Sequence, residues 1–237
     1  MAIERISIPC NPGNRGGYRP LSAIKYIVIH YTANKWDSAK SNLNYFKNNV
    51  VKASANYFVD SKTIGISVPD EIYAWHCGGD LQGSGGHKWH GICNNWNSIG
   101  IEICDDVNDG KVMPTEAALR NAQELTAELM HKYNIPIENV IRHWDVTGKL
   151  CPAYFIGEAN TATGKAWLDW KDELEEMTMT KYAKISEVPA AIRPEVQEII
   201  DLGALKGNGE KGLDLTYDGL RIIVICLRLC KKLLGKA

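Results

Sequence analysis

Lys25–His30 reads KYIVIH, a continuous apolar run rich in Ile and Val that ends on a histidine. Such a run has no polar side to offer water, so it is expected as a strand buried on both faces. The next strand, Ser98–Cys104 (SIGIEIC), alternates: Ile99, Ile101 and Ile103 lie on one face, Gly100 and Glu102 on the other. NYFVD and IGISV, separated by Ser61, Lys62 and Thr63, read as a hairpin, and NVIRH as a short strand delivering His143. Helical patterns fall between and after these runs. Ser38–Asn49 carries Leu43 and Phe46. Pro114–Tyr133 has Thr115 as its cap and a stripe of Leu119, Ala122, Leu125, Leu129 and Met130. Lys165–Met177 offers Trp167, Leu168, Trp170 and Leu174. Strands alternating with helices imply an α/β layer structure, a mixed central β-sheet flanked by helices.

With 237 residues, 45% of them hydrophobic, the chain can bury one substantial core and a small second one, and the reading divides it near residue 180. A net charge of −1 gives no global attraction for nucleic acid or an anionic membrane. Seven cysteines do not make a disulfide-scaffold pattern and suit a reducing compartment. MAIERISIPCNPGNRGG has no apolar core of signal-peptide length, and no stretch of ~20 apolar residues is available to span a bilayer. The expectation is synthesis in the cytoplasm without a signal peptide.

The chemistry concentrates in RHWDVTGKLCP, where His143 and Cys151 stand eight residues apart and Lys149 precedes the sulfur by two. With His30 they offer two imidazoles and a thiolate. Three protein ligands on zinc leave a fourth position open for water, the mark of catalytic sites. Against this, a lone His after an apolar strand is more often packed in the core, and a lone Cys is usually a small buried hydrophobe. Glu102 either faces solvent or lines a cleft, and Tyr57, opening its strand, either packs or reaches the end of the sheet. Asp145 is a candidate partner for an imidazole. Cys77, His87, His90 and Cys93 could hold a second, structural metal, although their spacing is not a finger pattern.

IVIHYTA, NYFVD, AWHCGG, NSIGIEIC and RHWDVTGKLCP occur in that order over about residues 20–160. Together they resemble the zinc-dependent N-acetylmuramoyl-L-alanine amidases of the phage-endolysin and peptidoglycan-recognition superfamily. The resemblance implies Zn2+ held by His30, His143 and Cys151, Glu102 as acid/base, and Lys149, with Tyr57, facing an oxyanion. It implies bacterial peptidoglycan as substrate, cut at the amide between N-acetylmuramic acid and L-alanine, and action on the wall after release from the cell. The loop Trp75–Asn97, rich in Gly, Trp and His, is then read as a rim of the substrate groove, with Trp75, His76 of the AWH motif and Asn97 as contacts. A non-catalytic peptidoglycan-binding module on the same fold typically lacks the cysteine ligand, so Cys151 favours the enzyme. A bacterial autolysin or recycling amidase is the other alternative.

Residues 181–237 are expected as a small, mainly helical module. One helix runs from Pro194 to Leu202, a glycine-rich turn follows, and a second helix from about Tyr217 to Leu234 is apolar nearly all round. So short a segment makes a marginal core. Cell-wall binding is the first reading of its use, and a homodimer through the last helix the second.

Overall fold

The computed structural model describes residues 3–234 except 84, 108–111, 157–163, 179–180, 183, 189–191, 206–212 and 214, so the glycine-rich turn at 206–212 lies outside the described residues. The chain forms two compact units, Met1–Leu174 and Glu175–Ala237.

In chain order the first unit contains β1 (Glu4–Ser7), β2 (Arg15–Tyr18), β3 (Tyr26–Tyr31), α1 (Ala39–Asn48), β4 (Tyr57–Val59), β5 (Thr63–Ile66), β6 (Ile72–Ala74), β7 (Ser98–Ile103), α2 (Glu116–Tyr133), β8 (Val140–Arg142), α3 (His143–Thr147) and all but the last turn of α4 (Lys165–Thr178). Six strands make one sheet in the order β1-β5-β4-β7-β3-β8, and β2 pairs with β6 in a separate ribbon. β3 runs parallel to β7 and β8, and β4 parallel to β7, while β4 and β5 are antiparallel. The sheet is therefore mixed. Ile27, Val28 and Ile29 are wholly buried, as a strand without a polar side requires.

Alternation along the strands sorts the core into layers. Ile27, Ile29, Ile99, Ile101, Ile103 and Val140 meet Ala118, Ala122, Leu125 and Leu129 of α2 and Trp167, Trp170 and Leu174 of α4. The α2 residues recur at helical spacing on one stripe, and the Thr115 hydroxyl caps that helix by accepting from the Ala118 N–H at 3.1 Å. On the opposite side of the sheet, Val28 packs with Ile141, Val146, Cys77 and Cys93, and Phe58 packs with Ala39 and Leu43 of α1. α1 opens on a reciprocal Ser38–Ser41 cap. Sequence patterning missed β1, β2 and β6. The first is mostly exposed, and the second contains two glycines, so neither carries a period of two.

The second unit pairs β9 (Lys181–Tyr182) with β10 (Leu215–Thr216), and contains α5 (Arg193–Asp201) and α6 (Tyr217–Leu233). Val188, Ile192, Val196, Ile199, Leu220 and Val224 form its own core. Arg228 pairs with Glu195, and Lys231 with Glu198 at 2.6 Å, joining α6 to α5. The other side of α6 carries Ile222, Ile225, Leu229 and Leu233, all exposed. No helix among the described residues is long and apolar enough to cross a membrane.

Candidate active site

Because β3, β7 and β8 are parallel, their carboxyl ends meet at one edge of the sheet, where open α/β sheets commonly place ligands. His30 on β3 lies in register with Glu102 on β7, so the two share a face. His143 is the first residue of α3, directly after β8. The Trp144 N–H donates to the Cys151 carbonyl at 3.0 Å, which folds the following loop back and returns the thiol to the histidine. Gly148 makes that return at φ +81, where an added Cβ would lie 1.9 Å from the Gln82 carbonyl oxygen.

A buried guanidinium braces the same turn. Arg142 donates from Nε and Nη2 to the Asp145 carboxylate, both at 2.9 Å, and from Nη1 to the Phe155 carbonyl at 2.7 Å. It lies over the Trp144 and Trp167 rings, 4.8 and 5.2 Å from their centroids. Asp145 is thus Arg142's partner rather than an imidazole's. Its position in the first turn of α3 also lets it accept from the Arg142 backbone N–H at 2.8 Å.

The structure brings His30, His143 and Cys151 together, all buried, with one ligand atom from each lying within 4.8 Å of the others. His30 Nδ1 stands 3.6 Å from Cys151 Sγ, and the two imidazole centroids are 4.7 Å apart. Among the described residues, neither ring nitrogen of His143 has a partner, although both are buried. Burial, with Lys149 nearby, pushes His143 down to about 3. Burial and the neighbouring His143 push His30 well down too. Both rings therefore keep neutral lone pairs. Burial and the Glu102 carboxylate push the Cys151 thiol far up, so an anionic sulfur there needs a cation beside it. Buried orphan nitrogens, two neutral imidazoles and a thiol make a donor set that fits zinc.

Glu102 is half-buried, and its Oε2 is buried without a partner among the described residues. Burial holds its carboxyl up to about 8, with Lys149 pulling it down and Asp37 and Asp105 pushing it up. Of the two sequence readings, solvent or cleft, it takes the second. A cleft of about 470 Å³ runs from Glu102 along Thr32, Asn34, Asp37 and α1 residues Ser41, Asn42, Tyr45 and Phe46. The Lys149 side chain is exposed, and its charge acts on Glu102 and both imidazoles.

Tyr57 is not brought to this group. It pairs in register with Ile101 and packs with the isoleucines on the opposite face, where its hydroxyl donates to Asp70 at 2.8 Å. Phe58, one residue on, takes the Glu102 face. Trp75 is half-buried, with its backbone N–H on the Ser54 hydroxyl. Asn97 turns both ends of its amide into its own loop, accepting from the Asn94 N–H at 2.8 Å and donating to the Ile92 carbonyl at 2.9 Å. His76 lies against His30, with Nδ1 3.0 Å from His30 Nε2 and Nε2 3.1 Å from the Ser98 hydroxyl. Among the described residues, His30, His143 and Cys151 are the one metal-type group. Cys77 and Cys93 instead pack in the core with Val28, and His90 Nδ1 meets the Val146 carbonyl. Sequence reasoning passed over Ser98 and Gly100. Their signal was alternation, which puts both on the face of Glu102.

An α/β sheet with a three-residue donor set at the carboxyl ends of its parallel strands defines a class of candidate metallohydrolases. Residues 20–154 match the family described as N-acetylmuramoyl-L-alanine amidase, and the chain belongs to that family. It is 30% identical over 223 residues to the N-acetylmuramoyl-L-alanine amidase BlyA of Bacillus subtilis (strain 168), covering 90% of this chain and 56% of that protein. It is 35% identical over 163 residues to CwlH of the same organism, covering 68% of this chain and 59% of that protein. The chain thus spans little more than half the length of these two relatives. Among solved structures, the catalytic domain of XlyA superposes with a TM-score of 0.56 at 30% identity, covering 73% of this chain and 99% of that one.

Proposed function

We propose that this chain is a zinc-dependent N-acetylmuramoyl-L-alanine amidase that cuts peptidoglycan as a phage or prophage endolysin, reaching the wall after release from the cell. The observation that carries the reading is the buried His30, His143 and Cys151 group beside Glu102. These three residues would hold the metal. When bound, zinc supplies Lewis acidity to the scissile carbonyl and to water. Glu102 takes a proton from the attacking water and returns one to the departing alanine nitrogen. Burial raises this carboxyl, the direction that brings proton uptake and return toward neutral pH. Lys149 brings positive charge to the oxyanion, where loss of one donor commonly costs ~10²–10³ in kcat. The cleft of about 470 Å³ beside Glu102 has room for a peptide.

Metal analysis together with digestion of purified wall tests this. The protein should hold zinc and release new alanine amino groups without new reducing sugar ends, and chelation should stop the release until zinc is restored. Reducing ends without new amino groups would make it a glycosidase and sink the reading.

The second unit serves, on this proposal, in wall attachment and self-association. The exposed Ile222, Leu229 and Leu233 support the latter, because they follow the spacing of a helix-pairing seam. Leu229→Glu should lower the apparent mass in light scattering; an unchanged mass would leave wall attachment alone.

A further inference from the structure

The geometry points to His76, anchored by Ser98, as the residue that fixes His30 in the one tautomer able to give its Nδ1 lone pair to a metal. This rests on the proposed metal site, and it replaces a substrate contact as the role of His76.

The direction of the hydrogen bonds can be worked out from the far end. Ser98 Oγ lies 2.6 Å from the Asn94 carbonyl oxygen, which can only accept, so the hydroxyl spends its single proton there. Towards His76 Nε2, at 3.1 Å, the same oxygen must then accept, and Nε2 carries the hydrogen. A neutral His76 with its proton on Nε2 has a bare Nδ1. That atom lies 3.0 Å from His30 Nε2, so His30 donates and holds its own proton on Nε2. His30 Nδ1 is left as a lone pair, and it is the atom 3.6 Å from Cys151 Sγ. A run of hydrogen bonds ending on a backbone carbonyl thus sets the protonation of a side chain two residues of relay away.

The surroundings keep the relay in place. An added Cβ at Gly100 would lie 2.6 Å from His76 Cγ, so the ring rests on the strand where only glycine leaves room. The Asn95 side-chain oxygen accepts from the backbone N–H groups of His76 and Cys77 at 3.0 and 2.9 Å. Asn97 pins the turn that presents the Asn94 carbonyl. With both ring nitrogens taken inside the protein, His76 has no nitrogen free for substrate.

The test compares native protein with His76→Phe, which keeps a ring but loses the acceptor, His76→Asn, which returns an oxygen near the Nδ1 position, and Ser98→Ala, which removes the anchor. Zinc affinity by chelator competition and the ring nitrogen shifts of His30 in metal-free protein are the readouts. Native His30 should carry its proton on Nε2. His76→Phe should weaken zinc binding roughly 10–100-fold and mix the His30 tautomers, as loss of an outer partner of a ligand does elsewhere. Ser98→Ala should do the same to a smaller degree, and His76→Asn should recover most of the affinity. Should His76→Phe not fold, Ser98→Ala carries the test. Native zinc affinity and a native His30 tautomer in the folded variants would overturn the proposal. Absence of zinc from the native protein would instead overturn the metal site.

Discussion

The two faces of β3 and β7 differ in everything but backbone. On one, Ile27, Ile29, Ile99, Ile101 and Ile103 lie under α2 and α4. On the other, one residue out of phase, are His30, Glu102, Gly100 and Ser98, whose neighbours are His76, His143 and Cys151. The apolar face gives stability by burial, at about 1.5–3 kcal/mol for each large aliphatic side chain. The polar face spends part of that stability on buried groups without partners among the described residues: both His143 nitrogens and one Glu102 oxygen. A sheet can carry such a site because its two faces are chemically independent while mechanically one object. Changes on the polar face should therefore alter chemistry and spare the fold, and changes on the apolar face should do the reverse.

Cys151→Ser should break the polar face most. It is expected to lose most bound zinc and nearly all activity while keeping the fold, read by metal analysis, turnover and circular dichroism. Full zinc with normal turnover would mean that the donor set is misassigned. Glu102→Gln comes next: it keeps shape and hydrogen-bonding capacity but cannot take a proton. kcat should fall by ~10²-fold or more with zinc content unchanged. Loss of zinc in this variant would make the carboxylate a ligand.

Much of this contrast was legible in the sequence, because alternation is a local property. KYIVIH and SIGIEIC declared their strands, and the faces of Ile101 and Glu102 followed from parity. The grouping of His30, His143 and Cys151 was legible through the order of motifs rather than through spacing, since residues 30 and 143 meet only when β3 and β8 pair. What parity could not reveal was the phase of β4. The strand opens at Tyr57, and without its register against Ile101 nothing said which face the phenol would take. Nor could composition place His76, whose role depends on the missing Cβ of Gly100 and on a carbonyl eighteen residues downstream. Asp145, a candidate partner for an imidazole in the sequence, is instead taken by Arg142, whose burial no local pattern announced.

On the apolar face, Ile101→Ala tests independence from the other side. Removing a wholly buried aliphatic side chain between the sheet and its helices should cost ~2–5 kcal/mol of unfolding free energy. Zinc stoichiometry and kcat, measured well below the lowered unfolding midpoint, should stay within about two-fold of native on this argument. A loss of zinc from the folded variant would mean that the faces are coupled.

Tyr57→Phe gives the smallest and most discriminating effect, because the two accounts of this residue predict opposite results. As an oxyanion donor its hydroxyl would be worth ~10² or more in kcat and almost nothing in stability. The structure puts that hydroxyl on Asp70, beside Lys132, whose ammonium is 2.9 Å from the same carboxylate, and Tyr133. Burial and the Asp70 charge push the phenol far above its ordinary range, so it stays protonated and donating. Removing it leaves the Asp70 carboxylate with two of its three donors among the described residues, a loss of about 1.5–3 kcal/mol for a hydrogen bond to a charged group. Turnover should remain within about two-fold of native, since no atom of the His30 group is touched. A hundredfold fall in kcat with unchanged stability would mean that the phenol acts in catalysis after all, and that the sheet does not separate the two faces.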